Sequence, residues 1–147
     1  MTLEEVLVVV RQKIGQAIAD IDGEPPLYSD DFLTQYLKTS NFELTILGVE
    51  TEVTVDSDAV TITPDPSTVI GMLLAYTAAV AIISDDLVYR LKNGELGLAF
   101  TSGATSINTN QAAGVLRDFS KMLTSRRDLL LSAYLSGDPN AVLSRIT

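Results

Sequence analysis

The chain contains no cysteine, no histidine and no tryptophan among its 147 residues. Without cysteine there is no disulfide, no thiolate nucleophile and no thiolate metal site. Without histidine the commonest general base and the commonest metal ligand are both missing. Basic residues are also scarce, 10 Lys+Arg against 19 Asp+Glu, for a net charge of −9. A grip on nucleic acid needs a basic surface, so that class of function is disfavoured. An enzyme would have to work from scattered carboxylates, hydroxyls and lysines, with no constellation of base, nucleophile or metal in view. The expectation is a protein without catalytic, cofactor or metal residues.

The charge that is present is unevenly spread. Residues 1–65 hold 13 carboxylates and 3 cations, net −10, whereas residues 66–147 are close to balance at +1. Glu4 and Glu5 stand ahead of the apolar run Val6–Val10, where a signal peptide would carry positive charge. A soluble, cytoplasmic chain is expected, with a length that fits one domain able to bury a core.

No charge appears between Asp65 and Asp85, and the run is apolar on all sides from Val69 to Ile83. The pattern predicts a central helix over 66–93, with Asp65 as N-cap, Pro66 in the first turn and Gly94 as its stop. The apolar part is shorter than the roughly 20 residues of a membrane span, and a stripe of Ile83, Leu87 and Leu91 follows it. A buried core helix is therefore expected.

Thr2-Leu3-Glu4-Glu5 reads as a capping box opening a helix over 2–20, with a stripe of Leu3, Leu7, Val10, Ile14, Ala17 and Ile21. The turn Asp20-Ile21-Asp22-Gly23 lacks the ligand spacing of a calcium loop and reads as an acidic turn. Ser29 caps a second helix over 29–39. Asp30 and Asp31 sit at its positive end, Leu33, Tyr36 and Leu37 form its buried face, and Tyr28 is spaced for a staple with Leu33. From Phe42 the period changes to two. Phe42, Leu44 and Ile46, then 50–55, then Val60–Thr63 are expected to form a small antiparallel meander. Residues 95–107 predict a β-hairpin or extended loop around Ser102-Gly103, which lacks the lysine of a phosphate-binding loop. The last long helix is expected over 109–135, with a stripe of Ala112, Leu116, Phe119, Leu123, Leu130 and Tyr134. Arg117, Lys121, Arg126 and Arg127 flank it, interleaved with Asp118 and Asp128, as on a solvated helix or a protein contact. Gly137 and Pro139 separate a tail, 138–147, carrying Val142, Leu143 and Ile146. The fold expected is mainly α: an antiparallel helical bundle around a central buried helix, with a small β-meander. Residues 1–137 form one domain and 138–147 a C-terminal docking tail.

Three stretches resemble the head-to-tail adaptor family of tailed bacteriophages, also called head completion or connector proteins. They are Tyr28-Ser29-Asp30-Asp31-Phe32-Leu33 running on to Leu37, Thr61-Ile62-Thr63-Pro64 leading into the Ala/Leu-rich helix, and Thr105-Ser106-Ile107-Asn108-Thr109 leading into the basic helix. The resemblance implies a neck protein in a twelve-membered ring between portal and tail, enclosing the DNA channel. It implies that the tail, with Val142, Leu143, Arg145 and Ile146, docks on the portal protein. It also implies that the loop, with Leu98, Phe100, Ser102 and Ile107, meets a neighbouring subunit or the downstream neck or tail-terminator protein. Given such a channel, the charge split makes Glu50, Glu52, Asp56 and Asp58 candidates to face it, since carboxylates repel phosphates and let DNA pass without sequence-specific binding. The location expected is the virion neck, after the host cytoplasm, with no membrane partner. The alternative is a small cytoplasmic interaction module or assembly chaperone that binds one partner through its tail.

Overall fold

The computed structural model describes residues 1–14, 28–93 and 109–137, with side chains described except at 86–93 and 109–116. Among these residues the fold is mainly α: α1 (Leu3–Lys13), α2 (Asp30–Ile46), α3 (Thr68–Asn93) and α4 (Thr109–Leu135), with two short strands, β1 (Thr54–Asp56) and β2 (Thr61–Thr63). The expected hairpin or loop at 95–107, the acidic turn at 20–23 and the tail at 138–147 lie outside the described residues.

α3 is the centre of a helical bundle and packs against α1, α2 and α4. Leu73, Leu74, Ala75, Ala78 and Ala79 are fully buried along it, and Ile70, Tyr76, Ile82 and Ile83 nearly so. The small residues let neighbouring backbones approach while the leucines fill the space between. The window Thr68–Asp85 is long and apolar enough to cross a membrane, at mean hydropathy 1.7, and 61% of it is buried within the fold. Its apolar surface is used by the three helices around it.

The start of α3 differs from expectation. The helix begins at Thr68, and Ser67, not Asp65, caps it by accepting a hydrogen bond from Ile70 N–H at 3.3 Å. Pro66 then lies outside the helix, and its carbonyl accepts from the Met1 amine at 2.7 Å. The Met1 side chain lies over Gly71, where a Cβ would come within 2.6 Å of its sulfur.

α1 opens with the expected capping box. Glu5 N–H donates to Thr2 Oγ1, and Thr2 N–H donates to Glu5 Oε2 at 2.7 Å. Val6, Leu7 and Val10 are buried, with Leu3 and Ile14 at the margin. The helix is described to Lys13, with Ile14 as C-cap, and the rest of the expected span, to 20, lies outside the described residues.

The largest correction concerns α2, which runs to Ile46 where a strand was expected from Phe42. Leu33, Leu37, Ser40 and Leu44 repeat at 4-3-4 and are all buried, so one helical face continues through the supposed change of period. Of the three alternating residues only Leu44 points inward, while Phe42 and Ile46 are 62% and 84% exposed. Ser40, Thr39 and Thr45 would otherwise weaken a helix, but each hydroxyl donates to the carbonyl four residues earlier, at 2.7, 3.2 and 2.8 Å. Gly48 ends this helix and does not mark a strand turn. With φ at 95° it forms a Schellman cap: Gly48 N–H donates to the Thr45 carbonyl and Val49 N–H to the Leu44 carbonyl. Val49 and Leu44, both buried, supply the apolar contact of that motif.

The meander is accordingly reduced to one two-stranded antiparallel ribbon, with Val55 opposite Ile62 and both facing the core. α4 spans the expected 109–135, burying Leu123, Leu130 and Ala133, and Gly137 (φ 79°) donates to the Tyr134 carbonyl at its end.

Candidate functional site

The segment from Glu50 to Asp65 forms an acidic edge on the bundle. It is held there by Asn41 of α2. The Asn41 amide N–H donates to the Val53 carbonyl at 3.1 Å, and its carbonyl oxygen accepts from Thr51 Oγ1. Both polar ends of one partly buried side chain are thus spent on fixing the chain between Gly48 and β1. Glu50 and Glu52, on either side of the buried Thr51, are directed outward. Glu52 takes a left-handed conformation, with φ at 55°.

The turn after β1 is organised by Asp56, whose carboxylate accepts from Asp58 N–H at 2.9 Å and Ala59 N–H at 3.1 Å. Val60 closes this turn at φ 53°, a conformation that β-branched residues rarely adopt. Asp56 therefore has a structural role as well as an exposed position, and Asp58 stands beside it on the surface.

The four sequence-predicted acidic residues are all exposed, and they divide between two adjoining depressions that share Val53. Glu50 and Glu52 border one of about 310 Å³, together with Asp65, Pro66 and Tyr134 of α4. Asp56 and Asp58 border another of about 550 Å³, where Lys38 and Phe42 of α2 form the opposite wall. The charged residues lining the first depression are the carboxylates Glu50, Glu52 and Asp65. The second places a cation and an aromatic ring across from its two carboxylates.

The basic residues of α4 are not equivalent. Arg127 is half-buried and bridges Glu43 of α2, at 3.4 Å, to Asp128, at 3.0 Å. It ties α4 to α2. Arg117, Lys121 and Arg126 lie on the exposed face of α4. Of the adjacent carboxylates near the second helix start, Asp30 receives Arg11 of α1, which also donates to the Tyr28 carbonyl at 3.2 Å. This clasp and the helix N-terminus account for Asp30 without chemistry. Tyr28 stacks on Phe32, with ring centroids 4.9 Å apart, while Leu33 goes to the core.

Among the described residues no group of three or more Asp and Glu is arranged to hold a metal ion. The predicted docking residues Val142, Leu143, Arg145 and Ile146, and the loop residues Leu98, Phe100, Ser102 and Ile107, lie outside the described residues. Sequence reading missed Asn41, Arg11 and the exposed pair Phe42 and Ile46. The last could have been found by extending the Leu33–Leu37 face two more turns, which puts Leu44 inside and Phe42 and Ile46 outside. No protein-family model matches the chain, and neither a curated protein nor a solved structure is similar to it.

Proposed function

We propose that this chain is a structural neck protein of a tailed phage, assembling as a twelve-membered ring between portal and tail around the DNA channel. The observation that carries the reading is where the three family-like stretches fall. The first forms the cap and opening turns of α2, the second passes from β2 toward the start of α3, and the third ends at Thr109, the first residue of α4. Each stretch therefore leads into or opens a helix, which supports the reading. In this role Glu50, Glu52, Asp56 and Asp58 present carboxylates to passing DNA, which repels phosphates and prevents sticking. Val142, Leu143, Arg145 and Ile146 engage the portal protein, and Leu98, Phe100, Ser102 and Ile107 meet a neighbouring subunit or the next neck protein.

Electron cryomicroscopy of purified virions tests this directly. The expected result is density for this chain in a ring under the portal, with the 50–58 edge toward the lumen. A lumen lined by Arg117, Lys121 and Arg126 would overturn the channel assignment. Absence of the chain from virions would overturn the neck role. That outcome would favour a cytoplasmic interaction module or assembly chaperone, a reading supported by the exposed Phe42 and Ile46.

A further inference from the structure

The outer side of α2 ends in large apolar side chains that the described fold leaves in water. Phe42 and Ile46 lie one helical turn apart on one face, and Leu47 and Leu135 are exposed nearby. Isolated exposed apolar residues are ordinary, but Ile46 at 84% exposure beside Phe42 at 62% makes a continuous apolar step at the C-terminal end of α2, away from the less exposed Phe32, which stacks on Tyr28 near the helix start. The ends of α2 and α4 meet at this place: a Cβ on Gly48 would lie 3.9 Å from Leu135 Cδ2. Two residues later, at Gly137, a left-handed turn closes α4. Gly137, the last described residue, therefore lies at the end of the fold where Ile46 and Leu47 are exposed.

We infer that residues 138–147 of the same chain cover this surface when the protein is free of partners. The segment has ten residues, enough to span up to about 33 Å when extended, several times the one-turn spacing of Phe42 and Ile46. It carries Val142, Leu143 and Ile146 and only two charged residues, Asp138 and Arg145. Val142, Leu143 and Ile146 have the i, i+1, i+4 spacing of one helical face, which complements an i, i+4 step on a facing helix. Covering removes both apolar sets from water at once. It also gives the tail two alternative sites, its own α2 in the free chain and a partner's groove after assembly. The free chain then hides its adhesive residues until a better site displaces them. Self-covering does not depend on the neck assignment, since it concerns the isolated chain alone.

The absence of cysteine permits a single-label test on the full chain. A nitroxide on Thr147→Cys is expected to reduce the amide signals of Phe42, Ile46 and Leu47 at least twofold in dilute isotope-labelled protein, relative to the reduced label. Adding Ile146→Asp, or placing Asp at the exposed Phe42, is expected to restore them, and the amide spectrum itself reports that each variant is folded. A mixture of isotope-labelled chain without nitroxide and nitroxide-bearing chain without isotope is expected to show no loss. Unchanged signals in the first sample would overturn the inference. So would an equal loss in the mixture, which makes a second copy the occupant, or a loss that persists in the Ile146→Asp variant.

Discussion

α3 and α2 are both rich in apolar residues, yet they use them differently. In α3 neighbours stand on three sides, so almost every apolar side chain from Ile70 to Ile83 is buried. In α2 one face, Leu33, Leu37 and Leu44, enters the core, while Phe42 and Ile46 face solvent. Hydrophobicity alone therefore locates the core helix but says little about α2, where position on the helical turn decides. The apolar residues left over on α2 have no structural task in the bundle, which makes them available for contacts with other chains or with the chain's own terminus.

The sharpest way to break this comparison is to place the same charge in each helix. Leu74→Asp puts a carboxylate at a fully buried position in the first half of α3. The expected loss is about 4 kcal/mol or more in urea denaturation. A variant that unfolds at the parent's midpoint would mean that α3 is not the core.

The next largest effect concerns how α2 carries the acidic edge. Asn41→Ala removes the partner of Thr51 Oγ1 and of the Val53 carbonyl in one step. Two polar groups that are buried or partly buried lose their bonds, for an expected cost of about 2–3 kcal/mol. Hydrogen exchange at 50–56 should rise while that of α3 stays slow, which separates local release of the edge from global unfolding. Gly48→Ala acts two turns later. The space is adequate, with Leu135 Cδ2 at 3.9 Å, so the cost comes from forcing an L-residue to φ 95°. About 1–2 kcal/mol is expected, read as a lowered melting temperature.

These two positions also show what could be read from the sequence. α3, α4 and the start of α1 were legible because a long apolar run, a 3.6-residue stripe and a capping box mark them, although the cap of α3 was placed two residues early. Thr2 with Glu5 and Gly137 behave as their local chemistry dictates. The second half of α2 was not legible, because Phe42, Leu44 and Ile46 satisfy a two-residue period over five positions, too short a run to distinguish strand from helix. The deciding information is the Leu33–Leu44 register and the burial of Val49 beneath the Gly48 cap, which is tertiary. The acidic residues were legible as exposed. Their division between two depressions was not, because it depends on Asn41 holding the chain in place and on Tyr134 arriving from α4. At the start of α3, Asp65 and Ser67 are both good caps by chemistry, and only the packing around Pro66 selects the second.

The smallest effect is the most discriminating for α2, because its sign matters more than its size. Thr45 lies inside the run that reads as a strand, is exposed, and donates its hydroxyl to the Asn41 carbonyl at 2.8 Å. That carbonyl also belongs to the helical backbone, so removing the hydroxyl leaves it served. In a helix, threonine loses rotamer freedom and is less favourable than alanine, so Thr45→Ala should raise stability by about 0.5 kcal/mol. In a strand the β-branched residue is the better one, and the same substitution should lower stability by a comparable amount. The Schellman bond from Gly48 N–H uses the Thr45 backbone carbonyl, which the substitution leaves in place. A matched pair of urea titrations resolves the sign. A loss of stability would return 42–46 to a strand and place Phe42 and Ile46 on one face of a sheet.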